Sequence, residues 1–294
     1  MRTINSLKSL LFVFPLIILI SCFTLSPVNE KAVSPNSAVR PETVIPDWAP
    51  FAEGIAYYAG KVSNPRIEFH ALKIDLFNQQ LRIVAAAGAG SADRVLSTRV
   101  STFVYANDLL AGINALPFDP VSGKEGEPRT NAGIVITDGL LISPPHPGFD
   151  ALVFYSDGGA AIVSQSEIHP PEGIVNAVGG FMRILELNEL VPRVLNLTAR
   201  HPRSAAGISP DGRFLFLLVI DGRRPGSVGC TEAETALVLR SLGASEGINL
   251  DGGGSTALAM RYPDGKVRVV NTPVHGGIPG RERAVAGCLG VGKR

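Results

Sequence analysis

The residues able to do chemistry gather in one stretch of the chain. Arg203, then Asp221-Gly222-Arg223, then Ser227, Thr231 and Glu234, then Asn249, Asp251 and Ser255 punctuate a segment that is otherwise apolar. Asp221 follows the run Phe214 to Ile220, and Asn249 and Asp251 flank Leu250 at the end of a second apolar run. Polar groups at the ends of buried strands are held by a rigid scaffold, as functional residues often are. An arginine fork donates two bonds at once to a phosphate. The glycines after Asp251, Gly252 and Gly253 first, let backbone N–H groups turn inward, and such a nest holds an anion. Each residue also has a structural explanation. Glu234 pairs with Thr231 in a capping box, Asp221-Gly222 ends a strand, Asp251 opens a turn, and Arg203 pairs with a core acid.

Other chemistries lack their residues. There is no H-E-x-x-H and no C-x-x-C, and Asp251-Gly-Gly-Gly-Ser255 has neither the G-K-[ST] of a phosphate-binding loop nor the G-x-S-x-G of a nucleophile elbow. The five histidines are scattered, so neither a metal nor a cofactor is expected. The net charge of +1 gives no reason to expect a nucleic-acid partner.

The elements that must position these residues are mostly strands. Around Ile67 to Ile74 both alternating sets are largely apolar, the pattern of a strand buried on both faces. Leu81 to Ala86 reads as another strand and Thr98 to Asn107 as a short helix. Asp-Gly pairs at 138–139, 157–158, 211–212 and 264–265 sit between apolar arms, the commonest hairpin signal. Thr231 and Glu234 form a T-x-x-E box before Ala233, Ala236, Leu237, Leu239 and Leu242, and Gly243 follows as a stop, which predicts a helix over 231–242. A short strand, Gly247 to Leu250, comes next. Trp48 and Phe118 read as core residues. The fold class is α+β, a large, mainly antiparallel sheet core with a few packed helices.

The N-terminus predicts export. Arg2 and Lys8 precede an 11-residue apolar run, Leu10 to Ile20, too short to span a membrane but suited to a secretory signal. Leu19-Ile20-Ser21-Cys22 has the form of a bacterial lipoprotein box, with Cys22 the acylated first residue of the mature chain. Residues 1–21 are then the signal peptide, 22–47 a proline-containing tether and 48–294 the globular domain, held in the cell envelope by its lipid. Loss of residues 1–21 removes Arg2 and Lys8 and no acid, leaving 25 basic and 26 acidic residues. An oxidising envelope permits a Cys230–Cys288 disulfide, and two buried thiols are the alternative.

Read in order, Pro202-Arg203-Ser-Ala-Ala-Gly207, Val219-Ile-Asp-Gly-Arg223, Gly226-Ser-Val-Gly229, Thr231-Glu-Ala-Glu-Thr-Ala236 and Asn249-Leu-Asp-Gly-Gly-Gly-Ser255 resemble the phosphodiester glycosidase family. Asn114 to Phe118 is similar to an upstream N-x-x-F segment of that family, and Asn271, Pro273 and Glu282 to Val285 to its last segment. The resemblance covers roughly residues 65–292, most clearly from Arg203 to Ser255. It implies hydrolysis of a sugar-1-phosphodiester, with a carbohydrate phosphodiester as partner and no protein partner inferred. Glycosidases commonly place two carboxyl groups around the scissile bond, and Asp251, Glu234 and Asp221 are the candidates. Arg203 would hold the phosphate, with Arg223 and Ser227 in the same motif. Asn249, Asn114 and Ser255 would orient hydroxyls or water, and Arg283 is either structural or a second anion contact. Two other functions fit the same residues: a phosphodiesterase cutting the P–O bond of a glycerophosphoryl or teichoic-like group, and a non-catalytic module for anionic glycans.

Overall fold

The structure is a computed structural model describing residues 44–87, 90–91, 94–168 and 173–294. The basic leader, the apolar run, Cys22 and most of the proline-containing segment lie outside the described residues.

Among these residues the sheets are antiparallel, and the α+β class holds. The largest has eight strands in the order Ala49–Ala52, Ile55–Ser63, Arg66–Asp75, Phe214–Ile220, Arg203–Ile208, Glu246–Asn249, Met182–Glu186 and Glu189–Leu190. A five-stranded sheet has the order Val267–Val269, Leu258–Arg261, Leu109–Asn114, Gly287–Lys293 and Leu81–Ala87. A second one runs Leu140–Ser143, Val135–Thr137, Ile174–Gly179, Asp150–Tyr155 and Ala160–Ser164. A smaller four-stranded sheet includes Phe118–Asp119 and Pro128–Asn131. All four Asp-Gly hairpins form. At the tightest, Asp138 and Gly139 both have positive φ, 48° and 79°, the twist that a two-residue turn needs.

The all-apolar strands are explained by burial on both faces. Leu215, Leu217 and Val219 join Leu72, Ile74, Ala206 and Ile248 in the core shared with the two five-stranded sheets. The alternate residues Phe216, Leu218 and Ile220 join Phe69, Ala71 and Ala205 in a second cluster beneath Ala236, Leu239 and Leu242. These last three belong to the helix Glu232–Leu242, which opens with both halves of the Thr231/Glu234 capping box and closes at Gly243 in the left-handed region (φ 110°). A shorter helix, Val100–Ala106, packs Val100, Phe103 and Val104 against Leu109, Ala259 and Cys288. Trp48 and Phe118 are only partly buried and sit at the margins of their clusters. Cys230 and Cys288 are free, buried thiols in different clusters.

Candidate active site

The site forms where the eight-stranded sheet hands the chain to its neighbour. Arg203 is the first residue of its strand, Asn249 the last of the adjacent strand and Met182 the first of the next. Register places Asn249 opposite both Ala205 and Met182. Beyond Asn249 the chain leaves the large sheet through Asp251 to Ser255 and enters the five-stranded sheet at Leu258. Asn114, fully buried, fastens this crossing. Its Nδ2 donates to Asp251 O (2.5 Å), and its Oδ1 accepts from Ser204 Oγ (2.7 Å) and Ala257 N (3.1 Å). Asn114 therefore holds the backbone under Asp251 and, fully buried and outside the cavity lining, does not face a sugar as the sequence reading expects.

A cavity of about 410 Å³ opens at this point, within the usual range for small-molecule sites. Its lining includes Arg203, Arg223, Glu232, Asn249, Asp251 and Arg283. Burial pushes the Asp251 carboxyl up to about 6, and this outweighs the Ser255 hydrogen bond and the Arg283 charge that favour ionisation. Arg283 Nη1 donates to Ser255 Oγ (3.2 Å) and its Nε donates to His275 Nδ1 (3.0 Å). Burial lowers the Arg283 pKa, with Asp251 opposing the shift. Across the glycine run, Arg223 Nη2 lies 3.2 Å from His201 Nδ1, and burial and nearby arginines keep that imidazole below its ordinary pKa. Arg223 is exposed and has φ 57°, a left-handed backbone that is uncommon for a non-glycine residue. Such strain is often stored where a side chain must be aimed.

In the glycine run Gly253 N–H is committed, donating to Pro202 O (2.8 Å). The run also provides close approach. A Cβ on Gly252 would stand 2.8 Å from Pro202 O, and one on Gly254 would overlap the Arg283 guanidinium. Gly253 also has φ 61°.

The structure does not bring every sequence candidate to the cavity. Glu234 is buried in its capping box, with Oε2 accepting from Thr231 N (3.0 Å) and Oε1 paired with Arg200. Asp221, 1% exposed, accepts from Arg224 Nη2 (2.6 Å), Asn271 Nδ2 (3.1 Å) and Thr272 N (3.0 Å). Ser227 is fully buried, and its hydroxyl donates to Asp221 O (2.6 Å) and accepts from Glu68 N (3.0 Å). These three residues are absent from the lining and have structural partners instead. Ser255, 1% exposed, reaches the site through its bonds to Asp251 and Arg283. Arg203 lines the cavity with each guanidinium nitrogen already donating once, Nε to Cys230 O, Nη1 to Glu232 Oε1 and Nη2 to Ala199 O, each at 2.8 Å. Its acid partner, Glu232, is the lining carboxylate that sequence reasoning missed. The only local signal was an acid in the first turn of a helix, which the dipole alone explains. Among the described residues no group of three His, Cys, Asp or Glu side chains is placed to hold a metal ion.

Comparison with known proteins assigns the chain to a family. The phosphodiester glycosidase family model matches residues 107–292, and the chain belongs to that family. The catalytic domain of zebrafish N-acetylglucosamine-1-phosphodiester alpha-N-acetylglucosaminidase, auto-inhibited by its pro-peptide, shares the fold. It has TM-score 0.64 and 19% identity over 82% of this chain and 83% of that one. So does a hypothetical protein from Synechocystis, with TM-score 0.61, 14% identity, and 83% and 63% of the two chains covered. The SPbeta prophage-derived uncharacterized protein YomE of Bacillus subtilis (strain 168) is 29% identical over 142 residues, 44% of this chain. That match covers 22% of YomE's length.

Proposed function

We propose that the protein is a hydrolase that releases a sugar from a sugar-1-phosphodiester, with Asp251 as its reactive carboxylate. The observation carrying this reading is Asp251 itself, an acid at the cavity wall with its pKa raised to about 6, beside Ser255 and Arg283. Ionised near neutral pH, Asp251 either takes the proton from a water that attacks C1, or attacks C1 itself to form a glycosyl ester that a water then cleaves, freeing the sugar and the carboxylate. The C1–O bond breaks, and its electron pair leaves with the phosphate. The departing phosphomonoester has a second pKa of about 6, so it needs little protonation. Arg223 and Arg283 face the cavity on either side of the glycines and stabilise its growing charge. This assignment moves phosphate binding from Arg203, whose guanidinium is held by three partners, to Arg223 and Arg283, which have fewer donors committed. It also leaves Glu234 and Asp221 structural roles.

Family membership and the zebrafish relative's named activity support N-acetylglucosamine-1-phosphodiester as the first substrate to test. Free sugar and a phosphomonoester, absent with Asp251→Asn, are the expected products. Sugar-1-phosphate would instead mean a phosphodiesterase.

The reading also places the enzyme outside the cytoplasm on a lipidated Cys22, supported by the leader and lipoprotein box. Detergent phase partitioning of the expressed protein tests this. The protein should enter the detergent phase and Cys22→Ser the aqueous phase; equal partitioning would overturn the anchor.

A further inference from the structure

Two buried acceptors on the cavity lining have no partner among the described residues: Glu232 Oε2 and Asn249 Oδ1. Asn249 is 4% exposed and the Glu232 side chain 13%. A buried oxygen without a donor is destabilising, so a ligand with donors here satisfies two oxygens that the protein's own groups do not. The two residues approach from different elements. Asn249 ends a central strand, whereas Glu232 begins the helix Glu232–Leu242. Arg203 fixes the carboxylate by its 2.8 Å bond to Oε1, which leaves Oε2 free. Arg203 is itself anchored to two backbone carbonyls, so the carboxylate is held in one orientation.

Charge narrows what the pair can accept. The Glu232 charge is already countered by Arg203, and Arg223 and Arg283 add two more positive charges to the same lining against the one further carboxylate, Asp251, so positive charge still exceeds negative. A cationic ligand group would meet an excess of positive charge. Neutral O–H or amide N–H donors would not, and a carboxylate accepts them well.

We infer that Glu232 and Asn249 form the sugar-recognition subsite, selecting a neutral pyranose whose adjacent hydrogen-bond donors face the two oxygens, with Arg203 as the positioning residue for Glu232. The inference rests on the proposed function only in taking a sugar phosphate as ligand. Calorimetric titration of the full chain with α-glucose 1-phosphate, α-glucosamine 1-phosphate and glycerol phosphate tests it without reading turnover. Glucose 1-phosphate should bind at least about tenfold tighter than glycerol phosphate, because a site built for hydroxyls discriminates strongly against ligands lacking them. Cationic glucosamine 1-phosphate should bind more weakly than glucose 1-phosphate. In Glu232→Gln the glucose margin should shrink to about twofold, with glycerol phosphate bound at least as well as before. Should that variant fail to fold, Asn249→Ala reads the same margin. No margin in the wild-type protein, an unchanged margin in the variants, or preference for the ammonium sugar would overturn the subsite. If the margin is present but sugar-1-phosphodiesters are not hydrolysed, the hydrolase reading fails and the subsite stands.

Discussion

Asp251 holds its proton more tightly in the folded chain than an ordinary aspartate does, and this has two measurable consequences. The first concerns rate. If the ionised form reacts, kcat/KM should rise with pH through about 6 and level off above it. The second concerns stability, with the sign set by linkage. The folded pKa lies above the ordinary 3.8, so the unfolded chain gives up this proton first as pH rises. The neutral acid's contribution is complete below 3.8 and is lost as pH rises through about 6. Asp251→Asn should therefore abolish turnover and yet be more stable than the parent at pH 7–8, by roughly 1–3 kcal/mol. Thermal melts across pH 4–8 check this, and a variant less stable than its parent at neutral pH would contradict the burial argument. Arg223 offers a related test. Glycine accepts its left-handed backbone without strain, so Arg223→Gly should gain about 1 kcal/mol in denaturant unfolding while losing affinity for glycerol phosphate. Equal phosphate affinity would remove Arg223 from the anion site.

Among the elements, the helix Glu232–Leu242 separates structural from chemical acids. Glu234 serves its N-terminus and Glu232 faces the cavity. Glutamine also completes a capping box, so Glu234→Gln should keep activity within about threefold. Thr231→Ala should cost about 1 kcal/mol of stability. A hundredfold rate loss in Glu234→Gln would return that residue to the catalytic set. The helix, its stop at Gly243 and the four hairpins were legible in the sequence because each signal lies within a few neighbouring residues. The alternating faces of Arg66–Asp75 and Phe214–Ile220 were legible as burial, though not as which core each face enters. The pairing of Arg203 with Glu232, and of Arg283 with the glycines and Ser255, spans separations that no local pattern encodes. The sequence reading therefore placed Asp251 and Asn249 in a site and left Arg203 between a phosphate and a core acid, without naming Glu232 as that acid.

At the scale of the whole molecule, the site depends on how two sheets meet. Asn114 closes the five-stranded sheet's approach to Asp251 and Ser204, with bonds to three partners in the interior. Asn114→Ala would strand buried donors and acceptors and should lower stability by about 2–4 kcal/mol in urea unfolding, with activity falling as Asp251 loses its support. A variant as stable as the parent would show that the crossing is held elsewhere. Family membership points to phosphodiester substrates, but the bond that breaks is the central claim. Cleavage at C1–O and cleavage of the adjacent P–O bond both yield free sugar and a phosphomonoester, so product identity alone does not separate them. Hydrolysis in ¹⁸O-labelled water, read by mass spectrometry of both products, does. The label is expected in the sugar, at C1. Label in the phosphate would show attack at phosphorus and contradict the role given to Asp251.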